Sequence, residues 1–413
     1  MMNMNEIFSG LTSVIDGGDI KALKTPCYIG GGIEALRTPC YVIDEKKLVS
    51  NGEILASVAS RTGCKILLAQ KAFSNYDFYP LLSDYLAGTE ASGLYEARLG
   101  KEEMPSGEVH VFSAAYRDDE FDELLKYADH IVFNTVTQLK KYGPKAKSCG
   151  KSVGLRINPE CSTQEGHEIY DPCAMGSRLG VTREVWDKEM TPEAIALLDG
   201  IHFHTLCEQN SDALEITLRA VEEKFGDVLP SMKWLNMGGG HHITKSNYDV
   251  AKLESLITYA QQKWGVEVYL EPGEAVALNA GYLLTHVLDV AWNNGVKIAI
   301  MDASAACHMP DVIEMPYMPP LLGASSDDTK PYRYRLAGPT CLAGDVIGDY
   351  GFDKELAAGD LLVFGDMAIY TTCKNNTFNG MPLPDIYRLK PDGAFERLTE
   401  FGYKDFKNRL GKN

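Results

Sequence analysis

The sequence predicts an α/β fold: a (β/α)8 TIM-type barrel followed by a second, mainly β domain. Three observations support this prediction. The chain has 413 residues, 45% of them hydrophobic, which is enough for two domains with separate cores. From Tyr41 onward, short apolar runs alternate with amphipathic stretches, as in repeated strand and helix units. Near residue 280 this alternation stops, and strand-like runs follow one another.

The barrel is predicted from eight apolar runs of strand length, with helix-length segments between most of them. The predicted strands cover residues 65–69, 85–89, 109–113, 130–134, 152–157, 201–204, 234–237 and 266–270. A (β/α)8 barrel usually needs about 250 residues. We therefore assign residues 45–280 to the barrel.

The second domain is predicted for residues 281–413, where strand-like runs at 283–290, 296–301 and 360–364 are separated by Gly, Pro and Asp turns. Residues 1–44 are expected to add an N-terminal segment to this domain, which would resemble a β-sandwich or barrel. That segment contains a near-duplication, Lys24-Thr-Pro-Cys-Tyr28 and Arg37-Thr-Pro-Cys-Tyr41. Only the second copy is interpreted as the start of the folded chain, and no role follows for the first.

Composition and charge exclude some partners. The chain has 40 Lys and Arg residues against 57 Asp and Glu residues, a formal net charge of −17, which disfavours nucleic acid and favours cationic ligands such as polyamines. No apolar run is long enough to cross a bilayer and no leader segment is recognisable, so we expect a cytoplasmic protein without membrane contact. Ten cysteines without paired zinc-type spacing predict reduced thiols.

Candidate active-site residues follow from the predicted barrel, because barrel enzymes carry their reactive groups where strands end and loops begin. Lys71 follows the first predicted strand and His204 ends the sixth. A partly desolvated lysine at such a place can act as a Schiff-base nucleophile. Taken alone, a strand-end lysine is more often a solvated surface group.

Three successive glycines follow the seventh strand: Gly238, Gly239 and Gly240. Without Cβ atoms, they can let backbone N–H groups converge on an anion such as a phosphate, although a flexible turn is the alternative. The histidines at and near these strand ends fit no helical zinc motif, so no metal is expected. They are His202, His204, His241 and His242.

Glu271 follows the eighth strand. A carboxylate at this place can keep a pyridinium nitrogen protonated, which makes the ring a strong acceptor of electrons. The structural alternative is an ion pair with Arg156, which ends the fifth strand. Both can hold at once, since Arg156 would orient Glu271 and keep it ionised.

Six motifs occur in order along the chain: Leu68-Ala-Gln-Lys71, Phe203-His204, Gly238-Gly-Gly240, Glu271-Pro-Gly273, Gly338-Pro-Thr-Cys341 and Asn379-Gly380. Together they resemble the fold III pyridoxal-phosphate (PLP) decarboxylases that act on ornithine, arginine and diaminopimelate. Further runs resemble the carboxynorspermidine/carboxyspermidine decarboxylases. They are Thr38-Pro-Cys-Tyr-Val-Ile-Asp44, Glu271-Pro-Gly-Glu274, Cys307-His-Met-Pro-Asp311, Cys341-Leu-Ala-Gly-Asp345 and Phe378-Asn-Gly-Met-Pro-Leu-Pro384.

The resemblance implies a PLP-dependent decarboxylase that forms norspermidine or spermidine in polyamine biosynthesis. It implies that Lys71 holds the cofactor as a Schiff base, that His204 stacks on the cofactor ring, and that Glu271 binds the pyridine nitrogen. It also implies that residues 238–240 and Tyr370 bind the phosphate.

The resemblance further implies that Cys341 returns a proton to the carbanion after CO2 leaves, with Asp345 beside it. Cys341 would reach across the interface of a homodimer with two shared active sites. A thiol suits this task because its unperturbed pKa near 8.5 leaves it mostly protonated at neutral pH. The alternative is a small buried hydrophobic residue, the commonest role of a free cysteine.

Three positions depart from the better-known decarboxylases. Glu274 stands where the ornithine and diaminopimelate enzymes have an Arg, Leu342 where they have an acidic residue, and Cys207 where the ornithine enzymes have a phosphate-binding Ser. Glu274 is therefore expected to face a cationic substrate arm. A substrate with several ammonium groups needs carboxylates spaced along its site. The expected substrate-binding residues are Glu274, Asp311 and Asp345, with Glu314 as a further candidate.

Three alternatives stay open: an amino-acid racemase of the same fold, a decarboxylase of the ornithine, arginine or diaminopimelate type, and a non-catalytic regulatory homologue. Glu271 argues against a racemase, since racemases of this fold leave the pyridine nitrogen unprotonated. Glu274 and Leu342 argue against ornithine and diaminopimelate, and Lys71 argues against a non-catalytic homologue. The sequence does not rank carboxynorspermidine against carboxyspermidine, because one methylene gives only modest discrimination.

Overall fold

The computed structural model describes residues 4–12, 33, 36–164, 168–327 and 329–412. The chain divides into two compact units, one formed by Ser50–Val276 and the other by Met1–Val49 together with Ala277–Asn413. The sequence predicts the corresponding boundaries after residues 44 and 280. The first copy of the Thr-Pro-Cys-Tyr repeat, which ends at Tyr28, lies outside the described residues.

The strands of the described chain are β1 (Cys40–Asp44), β2 (Lys65–Ala69), β3 (Gly88–Ala91), β4 (Glu108–Phe112), β5 (His130–Phe133), β6 (Ser152–Arg156), β7 (Gly200–His202), β8 (Trp234–Asn236), β9 (Glu267–Leu270), β10 (Gly281–Asn293), β11 (Val296–Met301), β12 (Tyr332–Ala337), β13 (Val346–Phe352), β14 (Leu361–Gly365), β15 (Asp385–Leu389) and β16 (Phe395–Thr399). The α-helices are α1 (Met4–Thr12), α2 (Glu45–Thr62), α3 (Tyr79–Leu82), α4 (Leu94–Glu103), α5 (Phe121–Tyr127), α6 (Val136–Ser148), α7 (Arg183–Glu189), α8 (Pro192–Ile195), α9 (Ser211–Phe225), α10 (Val250–Trp264), α11 (Glu274–Ala277), α12 (Ala305–His308), α13 (Asp311–Glu314), α14 (Thr371–Lys374) and α15 (Tyr403–Asn408).

Strands β2 to β9 form a closed barrel in which neighbouring strands are parallel. The ring closes where β9 pairs with β2, with Tyr269 opposite Lys65. Closure leaves no strand edge unpaired. The predicted (β/α)8-type barrel is thereby confirmed.

The helices of the barrel unit begin where the sequence supplies capping side chains. Thr135 at the start of α6, Thr182 at the start of α7 and Asp249 at the start of α10 each accept a hydrogen bond from a backbone N–H of the first turn. Helix α10 ends at Gly265, whose φ of 72° is left-handed and favours glycine. The positions where these helices begin fix the lengths of the loops that join each strand to the helix after it.

Trp234, the first residue of β8, points into the barrel interior. Gly200 on the neighbouring strand β7 and Gly154 on β6 make room for its indole: a Cβ would lie 2.3 Å from the ring at Gly154 and 2.0 Å at Gly200. The indole Nε1 donates to Ser152 Oγ at 2.9 Å. This part of the interior is therefore packed, as in barrel enzymes generally, whose reactive groups lie at the carboxyl ends of the strands.

Replacing Gly200 with Ala should destabilise the barrel, because the new methyl group would overlap the Trp234 indole. We expect the free energy of unfolding to fall by about 1–3 kcal/mol, as for other overpacked cores. Urea unfolding followed by tryptophan fluorescence measures the change. Gly93→Ala is the matched control, since Gly93 has an extended φ of −177° and a Cβ there would meet nothing within 4 Å. Equal losses in both variants would contradict this packing.

The second unit is built on an eight-stranded sheet in the order β13-β12-β11-β10-β1-β15-β16, with β14 also paired to β10. Strand β1 lies inside this sheet, antiparallel to β10 and parallel to β15. Helix α1 contributes Ile7, Phe8 and Leu11 to a core that includes Val42 and Tyr282. The prediction of a mainly β domain, formed by the C-terminal part and the N-terminal segment, is confirmed.

One barrel strand lies further along the chain than the sequence predicts. The prediction for the second barrel strand is residues 85–89, whereas β3 covers Gly88–Ala91. Tyr85 and Leu86 belong to the preceding turn, where both N–H groups donate to the carbonyl of Leu82 at 3.0 Å. The strand contains a buried charged residue, Glu90, which interrupts the apolar pattern.

Candidate active site

The carboxyl ends of β2 to β9, here called the carboxyl rim, carry the predicted residues Lys71, Arg156, His204, 238–240 and Glu271. In a closed barrel of parallel strands these ends meet at one face. Several of the polar side chains near this face are buried. They are Glu90, Arg156, His202, Asn236 and Glu271. Buried charges are tolerated only when they are paired or hydrogen-bonded, so the partners of each group define the site.

Glu271 is held by two side chains from neighbouring strands. Asn236 Nδ2 donates to Glu271 Oε1 at 2.5 Å, and His202 Nε2 donates to Glu271 Oε2 at 3.1 Å. Burial acts to raise the pKa of this carboxyl, but the charge and hydrogen bond of His202, together with the charges of His110 and Lys71, outweigh burial, so the pKa is about 2. Glu271 is therefore a fixed carboxylate at neutral pH.

Arg156 is not the hydrogen-bond partner of Glu271. Its Nη2 donates to the backbone carbonyl of His204 at 3.0 Å, and its guanidinium lies over the Phe112 ring, 4.5 Å from the centroid. Burial lowers the pKa of Arg156 to about 10, and the charge of Glu271 opposes this shift. The guanidinium therefore acts on Glu271 through its charge, while its hydrogen bond positions the backbone at His204.

His204 presents a neutral imidazole. Burial lowers its pKa well below the usual value, and the charges of Lys71 and Arg156 lower it further. Its Nδ1 accepts a hydrogen bond from the backbone N–H of Gly239 at 3.2 Å, which fixes the ring and leaves the proton on Nε2. A fixed, uncharged aromatic ring suits stacking against another planar ring.

The glycine triplet differs from the predicted anion cradle. Two of its N–H groups donate to side chains of the rim itself: Gly238 to Asn236 Oδ1 at 2.9 Å and Gly239 to His204 Nδ1 at 3.2 Å. These N–H groups do not converge on a common point for an anion. Their role in the described structure is to hold Asn236 and His204 in place.

Space explains why this segment contains glycine. A Cβ at Gly239 would lie 2.4 Å from the carbonyl oxygen of Glu271, and one at Gly240 would lie 2.1 Å from that of Leu206. Gly240 also has a φ of 81°, which side chains rarely adopt. The triplet thus allows the loops after β7, β8 and β9 to approach one another closely.

Glu274 belongs to a cluster on the same rim, here called the Glu274 cluster, formed by Glu208, His242 and Glu274. His242 Nε2 lies 3.0 Å from Glu274 Oε2, and one oxygen or nitrogen from each of the three side chains lies within 4.8 Å of the others. Glu208 has a φ of 53°, unusual for a residue with a side chain. The carboxylate that is expected to face a cationic arm therefore has a second carboxylate close by.

The β unit carries Cys341, the expected acid. Its side chain is exposed, and its backbone N–H donates to Asn379 Oδ1 at 3.2 Å. Leu342, the next residue, is 44% exposed, and Phe378, the neighbour of Asn379, is 46% exposed. The nine described cysteines are all free thiols.

Asp345 is buried, and its environment differs from that expected of a substrate ligand. Its carboxylate accepts hydrogen bonds from Ser304 Oγ at 2.9 Å, Thr340 Oγ1 at 2.7 Å and the N–H of Ala306 at 3.2 Å. Both oxygens are engaged within the β unit. This arrangement favours a positioning role, in which Asp345 ties the segment that leads into Cys341 to the start of α12.

Asp311, Glu314 and Tyr370 also lie in the β unit. Asp311 and Glu314, at the two ends of α13, both bind the ammonium of Lys374. A substrate amine that bound Asp311 would have to compete with that ammonium. Tyr370 has a left-handed φ of 55° at the start of α14, a conformation that is strained for a residue other than glycine and that is found most often at functional sites.

Several residues of the rim could not be identified from the motifs alone. Glu90, Asn236 and Glu208 were not predicted, and His202 and His242 were considered only as metal ligands. The sequence signal that could have identified Asn236 is the alternation of inward-pointing and outward-pointing side chains along a strand. Asn236 follows Trp234 by two residues, so both point into the barrel, and a polar residue on that face near a carboxyl end indicates a site residue.

Asp345→Asn should destabilise the β unit, because an amide offers one oxygen where the carboxylate offers two. We expect a loss of about 1.5–3 kcal/mol in the free energy of unfolding, the usual range for hydrogen bonds to a charged group. Urea titration at pH 7 measures it. Asp349→Asn is the matched control, since Asp349 forms a partly exposed pair with Arg335 and should cost less than about 1 kcal/mol. A stable Asp345→Asn protein would contradict the positioning role.

Comparison with known proteins shows the family of the chain. A family model described as "Pyridoxal-dependent decarboxylase, C-terminal sheet domain" matches residues 40–368. The chain is 43% identical over 379 residues to the carboxynorspermidine/carboxyspermidine decarboxylase of Campylobacter jejuni, covering 89% of this chain and 97% of that protein. It is 40% identical over 400 residues to the carboxyaminopropylagmatine decarboxylase of a Synechocystis species, covering 97% of this chain and 98% of the relative.

Among solved structures, the carboxynorspermidine decarboxylase of Campylobacter jejuni complexed with norspermidine matches with a TM-score of 0.83. The alignment covers 91% of this chain and all of that one, at 43% identity. A diaminopimelate decarboxylase from Helicobacter pylori matches with a TM-score of 0.76 at 17% identity, which supports the fold alone. The chain therefore belongs to the pyridoxal-dependent decarboxylases, in the group that contains the carboxynorspermidine/carboxyspermidine decarboxylases.

Proposed function

We propose that this chain is a PLP-dependent carboxy-lyase that converts carboxynorspermidine, carboxyspermidine or both to norspermidine and spermidine in polyamine biosynthesis. The observation that carries the proposal is the buried Glu271 carboxylate, which Asn236 and His202 hold at the same barrel face as Lys71. A permanent anion at this place stabilises a protonated pyridine nitrogen. That requirement distinguishes decarboxylation from racemisation in this fold.

The described residues of the carboxyl rim fit PLP. Lys71 offers a primary amine, Glu271 a carboxylate for the ring nitrogen, and His204 a neutral ring for stacking. Thr205 Oγ1 is buried and has no hydrogen-bond partner among the described residues, so it is available as a donor to a phosphate. With two glycine N–H groups already engaged, we propose that Gly240, Thr205 and Tyr370 hold the phosphate.

The chain's own residues then divide the work. PLP, when bound, supplies an electron sink for the carbanion that forms when CO2 leaves. Lys71 would hold it covalently, and Glu271 would keep the proton on the ring nitrogen. Arg156 would position the backbone at His204. Cys341 would return a proton to the substrate carbon.

Substrate recognition is assigned to carboxylates that can bind ammonium groups. We propose the Glu274 cluster as the main site, because two carboxylates and an imidazole lie within 4.8 Å of one another. Asp311 stays a candidate in competition with Lys374. Asp345 is reassigned to positioning the Cys341 segment. The net charge of −17 favours the approach of a polycation.

A second candidate substrate is carboxyaminopropylagmatine. One observation favours it: the identity to the Synechocystis enzyme extends over 97% of this chain, compared with 89% for the Campylobacter enzyme. The cationic ends of such substrates are where these enzymes must differ, so the Glu274 cluster would be the part of the site that distinguishes them. Direct competition between substrates decides between the two.

We propose that the enzyme is a homodimer in which Cys341 completes the site of the other subunit. Cys341 is exposed, and the flanking Leu342 and Phe378 expose large apolar surfaces at 44% and 46%. Apolar side chains around a reactive group are typical of a surface that becomes buried on association.

No helix in the described chain combines the length and apolar character needed to cross a bilayer. The cytoplasmic location expected from the sequence stays a prediction.

CO2 release should be fastest with carboxynorspermidine or carboxyspermidine when these are assayed beside carboxyaminopropylagmatine, ornithine and diaminopimelate. We expect kcat/KM at least about 100-fold higher for the preferred substrate than for ornithine and diaminopimelate, since a site built for several cations leaves carboxylates without an ammonium partner when a substrate with fewer or closer cations binds. Faster turnover of carboxyaminopropylagmatine would select the second candidate. Turnover of ornithine or diaminopimelate as fast as that of the preferred substrate would contradict both candidate functions.

Mixing two inactive variants should restore activity if the sites are shared. Lys71→Ala and Cys341→Ala homodimers should each be inactive, whereas subunit exchange at equal amounts should give about a quarter of the wild-type activity, because half of the dimers contain one intact site. Mixing Lys71→Ala with Glu271→Ala, both on the barrel, is the control and should restore none. Activity in the control mixture, or no activity in the test mixture, would contradict the proposal that the two subunits share each active site.

A further inference from the structure

Glu90 is a buried carboxyl beside Lys71 that the proposed reaction does not yet use. Strands β2 and β3 are paired with Ala69 opposite Glu90, and the N–H of Gln70 donates to the Glu90 carbonyl at 3.1 Å. Lys71 is two residues beyond Ala69. Paired residues of neighbouring parallel strands point to the same side, so Glu90 and Lys71 belong to adjacent positions of one face.

The side chain of Glu90 points into the barrel. Its neighbour Thr89 points outward to α4, since a Cβ at Gly100 would lie 2.3 Å from Thr89 Oγ1. Side chains alternate along a strand, so Glu90 takes the inner face. The residue is 2% exposed, and its Oε2 has no hydrogen-bond partner in the described chain. A buried carboxyl oxygen without a partner is costly and calls for a functional explanation.

The charged and titratable groups around Glu90 come from several elements. They are Lys71 after β2, Glu271 after β9, Glu96 on α4, Arg156 on β6, Tyr116 after β4 and His110, the residue paired with Glu90 on β4. Burial raises the pKa of Glu90 to about 8 against the opposing charge of Lys71, and Glu271 and Glu96 raise it further. At pH 7 Glu90 therefore holds a proton, while Glu271 is ionised. Two carboxyls with separated acidities in one site indicate separate acid and base roles.

We propose that Glu90 is the proton carrier for Lys71: it protonates Lys71 Nζ as a substrate amine displaces the lysine, and takes the proton back when the lysine returns. The inference rests on the proposed function, because it requires a cofactor bound to Lys71. In the forward direction the Glu90 O–H bond breaks, an N–H bond forms on Nζ, and the electron pair stays on Glu90. The resulting carboxylate lies next to the lysine ammonium, which stabilises both charges.

The test is the rate at which hydroxylamine displaces Lys71 in the holoenzyme, followed by stopped-flow absorbance of the cofactor from pH 6 to 9. Glu90→Gln keeps the shape of the side chain and removes its proton. We expect the displacement to slow by about 100-fold or more, the usual contribution of a general acid, while cofactor affinity changes little. The wild-type rate should decline above a midpoint near pH 8, and this dependence should be absent from Glu90→Gln.

Two further variants separate proton transfer from structure. Glu90→Asp should restore part of the rate. Glu96→Gln, a change in a neighbouring carboxylate on α4, should keep the wild-type rate near pH 7 and lower the midpoint of the pH dependence, because the charge of Glu96 helps to raise the pKa of Glu90. As the pH rises from 5 to 8, the free energy of unfolding of the wild type should fall relative to that of Glu90→Gln. The reason is that the Glu90 carboxyl ionises at a lower pH in the unfolded chain than in the folded one, where it is buried. An unchanged rate and pH profile in Glu90→Gln would overturn the inference. Hydroxylamine needs no substrate, so this result is independent of the decarboxylation assay. Absence of any cofactor band would instead overturn the proposed function and this inference together.

Discussion

The candidate site depends on the side-chain amide of Asn236. Its Nδ2 donates to Glu271 and its Oδ1 accepts the N–H of Gly238, so one buried residue joins the end of β8, the loop that follows it and the end of β9. His202 adds the end of β7. A buried carboxylate is tolerated only with such charge-assisted hydrogen bonds. Without Asn236, the Glu271 carboxylate, the glycine loop and the His204 ring would no longer be linked by one set of hydrogen bonds.

Three carboxyls on or near the carboxyl rim have different settings, although all three belong to glutamates. Glu271 has two strong donors and is ionised, Glu90 has an oxygen without a donor and stays protonated, and Glu274 pairs with His242 beside a second carboxylate. The neighbours rather than the residue type set the charges of Glu271 and Glu90. A barrel interior can provide such different settings at short range because every strand contributes a different partner.

Much of the fold and part of the site could be predicted from sequence. The apolar runs predicted the barrel, and the polar residues just beyond them, Lys71, His204 and Glu271, lie at its carboxyl ends. Local pattern could not find Glu90, because a charge inside a strand weakens the apolar signal that marks the strand. Nor could it find that Asp345 is saturated by Ser304 and Thr340, since those partners come together only through the fold.

The Asp345 network has a consequence for assembly. Its hydrogen bonds all lie within the β unit, so the backbone that leads into Cys341 takes its shape when that unit folds. A loop that is ordered in advance does not lose conformational entropy on association, a loss of about 0.5–1.5 kcal/mol for each side chain that becomes immobilised. In the proposed homodimer, a preorganised loop would therefore favour tight association and would present the thiol to the partner subunit in a single, reproducible geometry.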